Sequence, residues 1–185
     1  MIDQKDFSEI RDELSEFEKK RETVIASSRD VIHLSKLVIY SVLRDDMPKA
    51  ESLSSDMKGK VKLIPEGDYD TGMRDVALQE YVEALALLYF VKDNKIPTRG
   101  DLDVDTNNYL MGLCDFVGEL VRLAVNKVVE KDYAYALKVK SVVEDLYGEF
   151  LQFDLRNGPL RKKADSLRWN LKKLEEIALD ISTRV

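Results

Sequence analysis

An all-α protein, an up-and-down bundle of about six or seven helices with a long first helix, is the fold this 185-residue sequence predicts. Three observations carry that expectation. Apolar residues recur at three- and four-residue steps through most of the chain, the signature of amphipathic helix. The four prolines, at 48, 65, 97 and 159, fall between those runs or at their starts. No stretch alternates apolar and polar residues beside a hairpin turn. At this length one domain spanning residues 1–185 can bury a sizeable core.

The first run, Phe7 to about Leu43, steps through Ile10, Leu14, Phe17, Val24 and Val31 without a proline or glycine and reads as one long helix. Its second half has apolar residues on several sides (Val31, Ile32, Leu34, Leu37, Val38, Ile39, Val42), which predicts a helix covered all round. Pro48 suits the first turn of a second helix reaching about Leu63, and Pro65, Gly67 and Gly72 break the chain after it. A third helix, about Asp70 to Val91, carries the stripe Met73, Val76, Ala77, Glu80, Ala84, Leu87 and Val91, with one carboxylate inside it. Residues 94–108 read as a loop with room for one short helical turn. A fourth helix follows over about Thr106 to Glu130 and a fifth over Tyr133 to Phe153. Asn157-Gly158-Pro159 then separates the fifth from a last helix through Ile181.

Composition bounds the function. Hydrophobic residues at 44% and charged residues at 35% exclude a disordered chain. No apolar run approaches the roughly 18 to 20 residues that span a bilayer. The first dozen residues are acidic and polar rather than basic then apolar, so a cytoplasmic protein is expected. Cys114 stands alone, which leaves neither an internal disulfide nor a thiolate metal site. The net charge of -6 argues against polyanion binding over the whole exterior, but Arg156 to Lys173 holds seven basic residues against Asp165. Any nucleic-acid surface is therefore local.

Two acid pairs carry the candidate chemistry. Glu80 and Glu83 lie three apart on one helix, and Asp115 and Glu119 four apart on another, so each pair shares a helical face. Brought together they would form an oxygen-only cluster suited to Mg2+ or Mn2+, which can activate water and offset charge on a phosphodiester. Arg122, on the same face as Asp115 and Glu119, is placed to hold a phosphate oxygen. Spacing alone favours a solvated stripe of Asp115, Glu119, Arg122, Asn126 and Glu130 with Glu119 paired to Arg122. Glu80 resists that explanation, because a carboxylate in an apolar stripe needs a partner, a metal or a raised pKa. Arg161, Lys162, Lys163 and Arg168, with Trp169 among them, read either as phosphate contacts or as a solvated face; Lys36 is a weaker candidate of the same kind. His33 reads as a packed core residue, and a single histidine excludes a nuclease with a paired histidine acid and base and a di-iron site with two Glu-x-x-His motifs.

The run Leu78-Gln79-Glu80-Tyr81-Val82-Glu83-Ala84 and the segment from Gly112 to Arg122 resemble the catalytic segments of the translin family, in its factor X branch. Ser28-Arg29-Asp30 and Ser35-Lys36 are similar to the first helix of that branch. Asn157 to Leu167 and Lys172 to Glu176 look more like the nucleic-acid-binding translin branch. The resemblance implies that Glu80, Glu83, Asp115 and Glu119 are both the catalytic and the metal-binding residues of a Mg2+- or Mn2+-dependent endoribonuclease acting on single-stranded RNA. It also implies nucleic-acid contacts from Lys36, Arg122, Arg161, Lys162, Lys163 and Arg168. A chain combining both branches resembles a single-gene, archaeal-type relative that builds a homo-oligomeric cage, an octamer by resemblance. The alternative is a non-catalytic protein that binds single-stranded DNA or RNA. Basic helices facing inward would reconcile RNA binding with a pI of about 5.0.

Overall fold

The computed structural model describes residues 2–184, and every regular element among them is a helix. Seven are present: α1 (Gln4–Val42), α2 (Met47–Val61), α3 (Met73–Asp93), α4 (Arg99–Leu102), α5 (Thr106–Val129), α6 (Tyr133–Leu151) and α7 (Pro159–Arg184). None is long and apolar enough to cross a membrane.

Helix starts follow side-chain chemistry. The carboxylates of Asp3, Asp46, Asp105 and Asp132 accept backbone N–H bonds at the N-termini of α1, α2, α5 and α6. Thr98 and Asp101 form a reciprocal capping box on the four-residue α4, the short turn expected in the 94–108 connection. α3 begins later than the sequence suggests. Asp70 (φ 52°) and Gly72 (φ 60°) both adopt the left-handed conformation, so the helix cannot be entered before Met73.

α1 is 39 residues long, about 58 Å at the usual helical rise. Its buried line runs through Val24, Ser28, Val31, Ser35, Val38 and Val42, where it meets α2 and α3. The expectation that its second half is covered all round is not met, because His33, Lys36 and Tyr40 are exposed. Nor is His33 a core residue. Small serines at the contact positions bring neighbouring helices close enough that one line of α1 meets its packing need, and the Ser35 hydroxyl lies 3.1 Å from the sulfur of Met57 on α2.

α3 and α5 are the central pair. α3 packs on α1, α2 and α5, while α5 packs on α3, α6 and α7. Val82, Ala84, Leu85, Leu87, Phe116, Val117 and Leu120 are fully or almost fully buried along these two helices. Burying a Leu or Phe side chain stabilises by roughly 1.5–3 kcal/mol, so this seam contributes strongly to the fold. The acid pairs of the sequence lie on it.

Candidate active site

Gly112 determines how closely the two central helices approach. A Cβ placed there would lie 2.6 Å from the backbone oxygen of Gln79 and 2.6 Å from Cβ of Val82, so at this point α5 touches the backbone of α3. Asp115 stands one turn beyond Gly112, and Glu80 is the residue after Gln79. Contact at a single glycine thus brings both acid pairs to one side of the seam.

Neither pair forms a solvated stripe. The Asp115 side chain is 33% exposed and that of Glu119 20%. Glu80 and Glu83 are half-buried. Burial pushes the Glu83 carboxyl up to about 8, and the charges of Asp115, Glu80 and Glu119 push the same way, against a smaller pull from Lys163. Glu80 is also raised, first by burial and then by Asp115 and Glu119, but the ammonium of Lys36 on α1 is the largest opposing influence. The sequence singled out Glu80 as the uncomfortable carboxylate. Glu83 is the more perturbed, because it is the more deeply buried of the two and because Lys36 offsets charge at Glu80.

The positive charges around the cluster come from three helices. Lys36 approaches from α1, Arg122 lies 3.4 Å from Glu119 on α5, and Lys163 reaches in from α7 to form an ion pair with Asp115. Lys163 also donates to Oε1 of Gln79 at 3.2 Å. Nε2 of Gln79 donates in turn to the buried Asn108 (2.9 Å), whose own amide donates to Asp75 and Asp105, each at 2.8 Å. A continuous chain of bonds therefore ties Asp115 to the start of α5.

The remaining basic candidates lie elsewhere. Arg161 and Arg168 are exposed and share a face of α7 with Asp165 and Trp169. Lys163 is on the opposite face with the buried Leu167 and Leu174. Lys162 is exposed and has no bond to the cluster among the described residues. Cys114 is buried, and burial pushes its thiol up to about 12, which leaves it inert.

The donor set fits a hard divalent cation. It is oxygen-only and half-buried, and Glu83 is raised first by burial and then by its acidic neighbours. As the side chains stand, no three acidic, histidine or cysteine groups among the described residues form a metal-binding cluster, and the charge at Asp115 is met by Lys163.

Comparison with known proteins identifies the lineage. A family model described as the translin family matches residues 19–185. The chain belongs to the translin family. Among curated relatives, a translin of Gallus gallus is 38% identical over 81 residues, 44% of this chain and 35% of its own length. That match spans only about a third of the curated translin. An uncharacterised protein of Methanocaldococcus jannaschii is 30% identical over 163 residues, covering 83% of this chain and 72% of its own, and so extends the likeness to an archaeal relative. The translin-associated protein X of Pongo abelii is 24% identical over 226 residues, covering 96% and 78%. Among solved structures, the crystal structure of apo-NeC3PO superposes with a TM-score of 0.87 at 32% identity over 94% of this chain and 95% of that one. AfC3PO in a duplex RNA complex gives 0.82 at 28% identity over 96% and 97%. The all-helical translin fold is thereby shown.

Sequence reasoning missed three members of this translin-fold site. Gln79 and Asn108 carry no charge, and nothing in one sequence shows that they bond across 29 positions. Gly112 had a faint signal: a glycine inside an amphipathic helix costs about 1 kcal/mol against alanine, so its presence asks for a packing reason.

Proposed function

We propose that this chain is a Mg2+- or Mn2+-dependent endoribonuclease that cuts single-stranded RNA within a homo-oligomeric cage, an octamer by family resemblance. One observation carries the reading: half-buried carboxylates from two helices lie near enough that Asp115 and Glu119 raise both Glu80 and Glu83, with Lys36, Arg122 and Lys163 beside them. The likeness to translin-associated protein X, and to AfC3PO solved in a duplex RNA complex, supports the RNA-binding part of this reading.

Glu80, Glu83, Asp115 and Glu119 would hold the cation. When bound, it supplies a water of lowered pKa and neutralises charge developing on the phosphodiester. The chain's own residues do the rest. Asp115 is fixed by Lys163 and, through Gln79, by Asn108, so its oxygens keep their place without further ordering. Arg122, exposed beside Glu119, offers a planar fork to a phosphate oxygen. Lys36, on α1, brings a further positive charge near Glu80. Binding through such contacts is sequence-independent and weakens with salt.

The deciding experiment incubates labelled single-stranded RNA with purified protein in Mg2+, Mn2+ or EDTA, beside the Glu119→Ala variant. Metal-dependent cleavage that the variant loses is the expected result. Cleavage that persists in EDTA or in the variant refutes the mechanism. Salt-sensitive retention of RNA or single-stranded DNA without cleavage would assign the chain to the non-catalytic alternative.

A further inference from the structure

The N-terminal half of α1 has no role in the site. Among residues 2–20 only Phe17, whose ring packs 5.6 Å from that of Tyr69, is less than exposed. Phe7, Ile10 and Leu14 nevertheless continue the three- and four-residue stripe that the core covers from Val24 onward, and Leu14 is 61% exposed. Ordinary surface helices do not repeat large apolar residues in register with a core seam. The flanks of this arm are acidic, with seven acids and two bases from Asp3 to Glu18. The arm also lies outside residues 19–185, the part matched by the family model.

A second uncovered apolar surface lies at the end of α6. Leu151, Phe153 and Trp169 are exposed around a groove of about 330 Å3, whose floor includes Phe150 and whose rim carries Arg161 and Arg168. Arg161 is shared with Asp165 at 3.5 Å, while Arg168 has no ion pair among the described residues. One surface is thus a ridge of apolar side chains with acidic flanks, and the other an apolar groove with a basic rim.

We propose that the arm of one copy seats in the α6–α7 groove of the next, Phe7, Ile10 and Leu14 entering against Phe153 and Trp169 while the acids face Arg161 and Arg168. This inference rests on the reading that the chain self-assembles, and not on its being a nuclease. The contact is heterologous, since ridge and groove are different surfaces, so it joins copies head to tail. Pairing of two arms would instead set seven acids against seven. Nucleic acid in the groove would satisfy the arginines but leave the apolar ridge uncovered.

Light scattering after gel filtration, on the full chain, measures the assembly. A triple variant (Phe7→Ser, Ile10→Ser, Leu14→Ser) and Trp169→Ser should each at least halve the native mass, with helical circular dichroism unchanged. The pair Leu14→Cys with Trp169→Cys should oxidise to a ladder of covalent multimers that neither single substitution produces, the native Cys114 being buried. Variants that keep the parental mass overturn the proposal, as does a covalent dimer from Leu14→Cys alone. So does a Trp169→Ser protein that assembles normally but no longer retains single-stranded RNA. A monomeric parent refutes self-assembly itself, a failure distinct from all of these.

Discussion

The α3–α5 seam and the arm of α1 are both rich in carboxylates, and they treat them oppositely. On the arm, Glu9, Glu16 and Glu18 point into solvent and meet Lys5, Lys20 and Arg21 at 3.8 to 3.9 Å within their own helix. Pairs of that kind are screened and contribute little. On the seam, four acids from two helices share a half-buried space, and Glu83 is pushed up to about 8 by burial and by its acidic neighbours. The difference is one of packing. Acid content marks no site; acids that the fold forces together against their own repulsion do, because the fold must otherwise carry that cost.

The contrast predicts its largest effect in activity. Glu119→Ala should lower metal-dependent RNA cleavage by at least about 10^2-fold, the scale of removing one electrostatic group from a transition state. The same substitution at Glu9 should leave the rate unchanged. Gel assays of both variants at saturating Mg2+ make the comparison, and equal losses would erase the distinction between seam and arm.

Next in size is the backbone contact. Gly112→Ala gains helix propensity but drives a methyl group into the Gln79 carbonyl, so it should destabilise by roughly 1–3 kcal/mol and spread the acid pairs. Gly118→Ala, on the same helix with nothing within 4 Å of its Cβ, should instead stabilise by up to about 1 kcal/mol. Urea unfolding of both proteins reads the sign directly.

How much of this was legible depends on whether a feature is local. Helix number and the short turn at Arg99–Leu102 follow from periodicity and from Pro and Gly between the apolar runs, and these are properties of neighbouring residues. The left-handed Asp70 displaced the start of α3, because a non-glycine residue in that conformation leaves no compositional trace. His33 looked buried because its sequence neighbours are apolar, yet one turn of helix faces several directions and this residue faces out. Lys163 was grouped with Arg161 and Lys162 by adjacency, although two positions along a helix turn a side chain by about 200°. The identities of the four acids were available from spacing and resemblance. Their meeting was not, since it turns on Gly112 against Gln79.

A pH dependence of stability is the last effect predicted for the seam. Glu83 titrates near its ordinary value of 4.5 in the unfolded chain and near about 8 in the folded one. Between those values the folded state binds more protons than the unfolded state, so stability is greatest below about 4.5 and falls as pH rises towards 8, contrary to the usual carboxylate trend. Glu80, also raised, adds to the same slope. In EDTA, the urea midpoint of the parent should therefore decline between pH 5 and pH 8, and Glu83→Gln, which stays neutral, should flatten that decline. A parent protein whose midpoint rises over this range would show that Lys36 and Lys163 already neutralise the cluster, and the case for a cation there would lose its electrostatic basis.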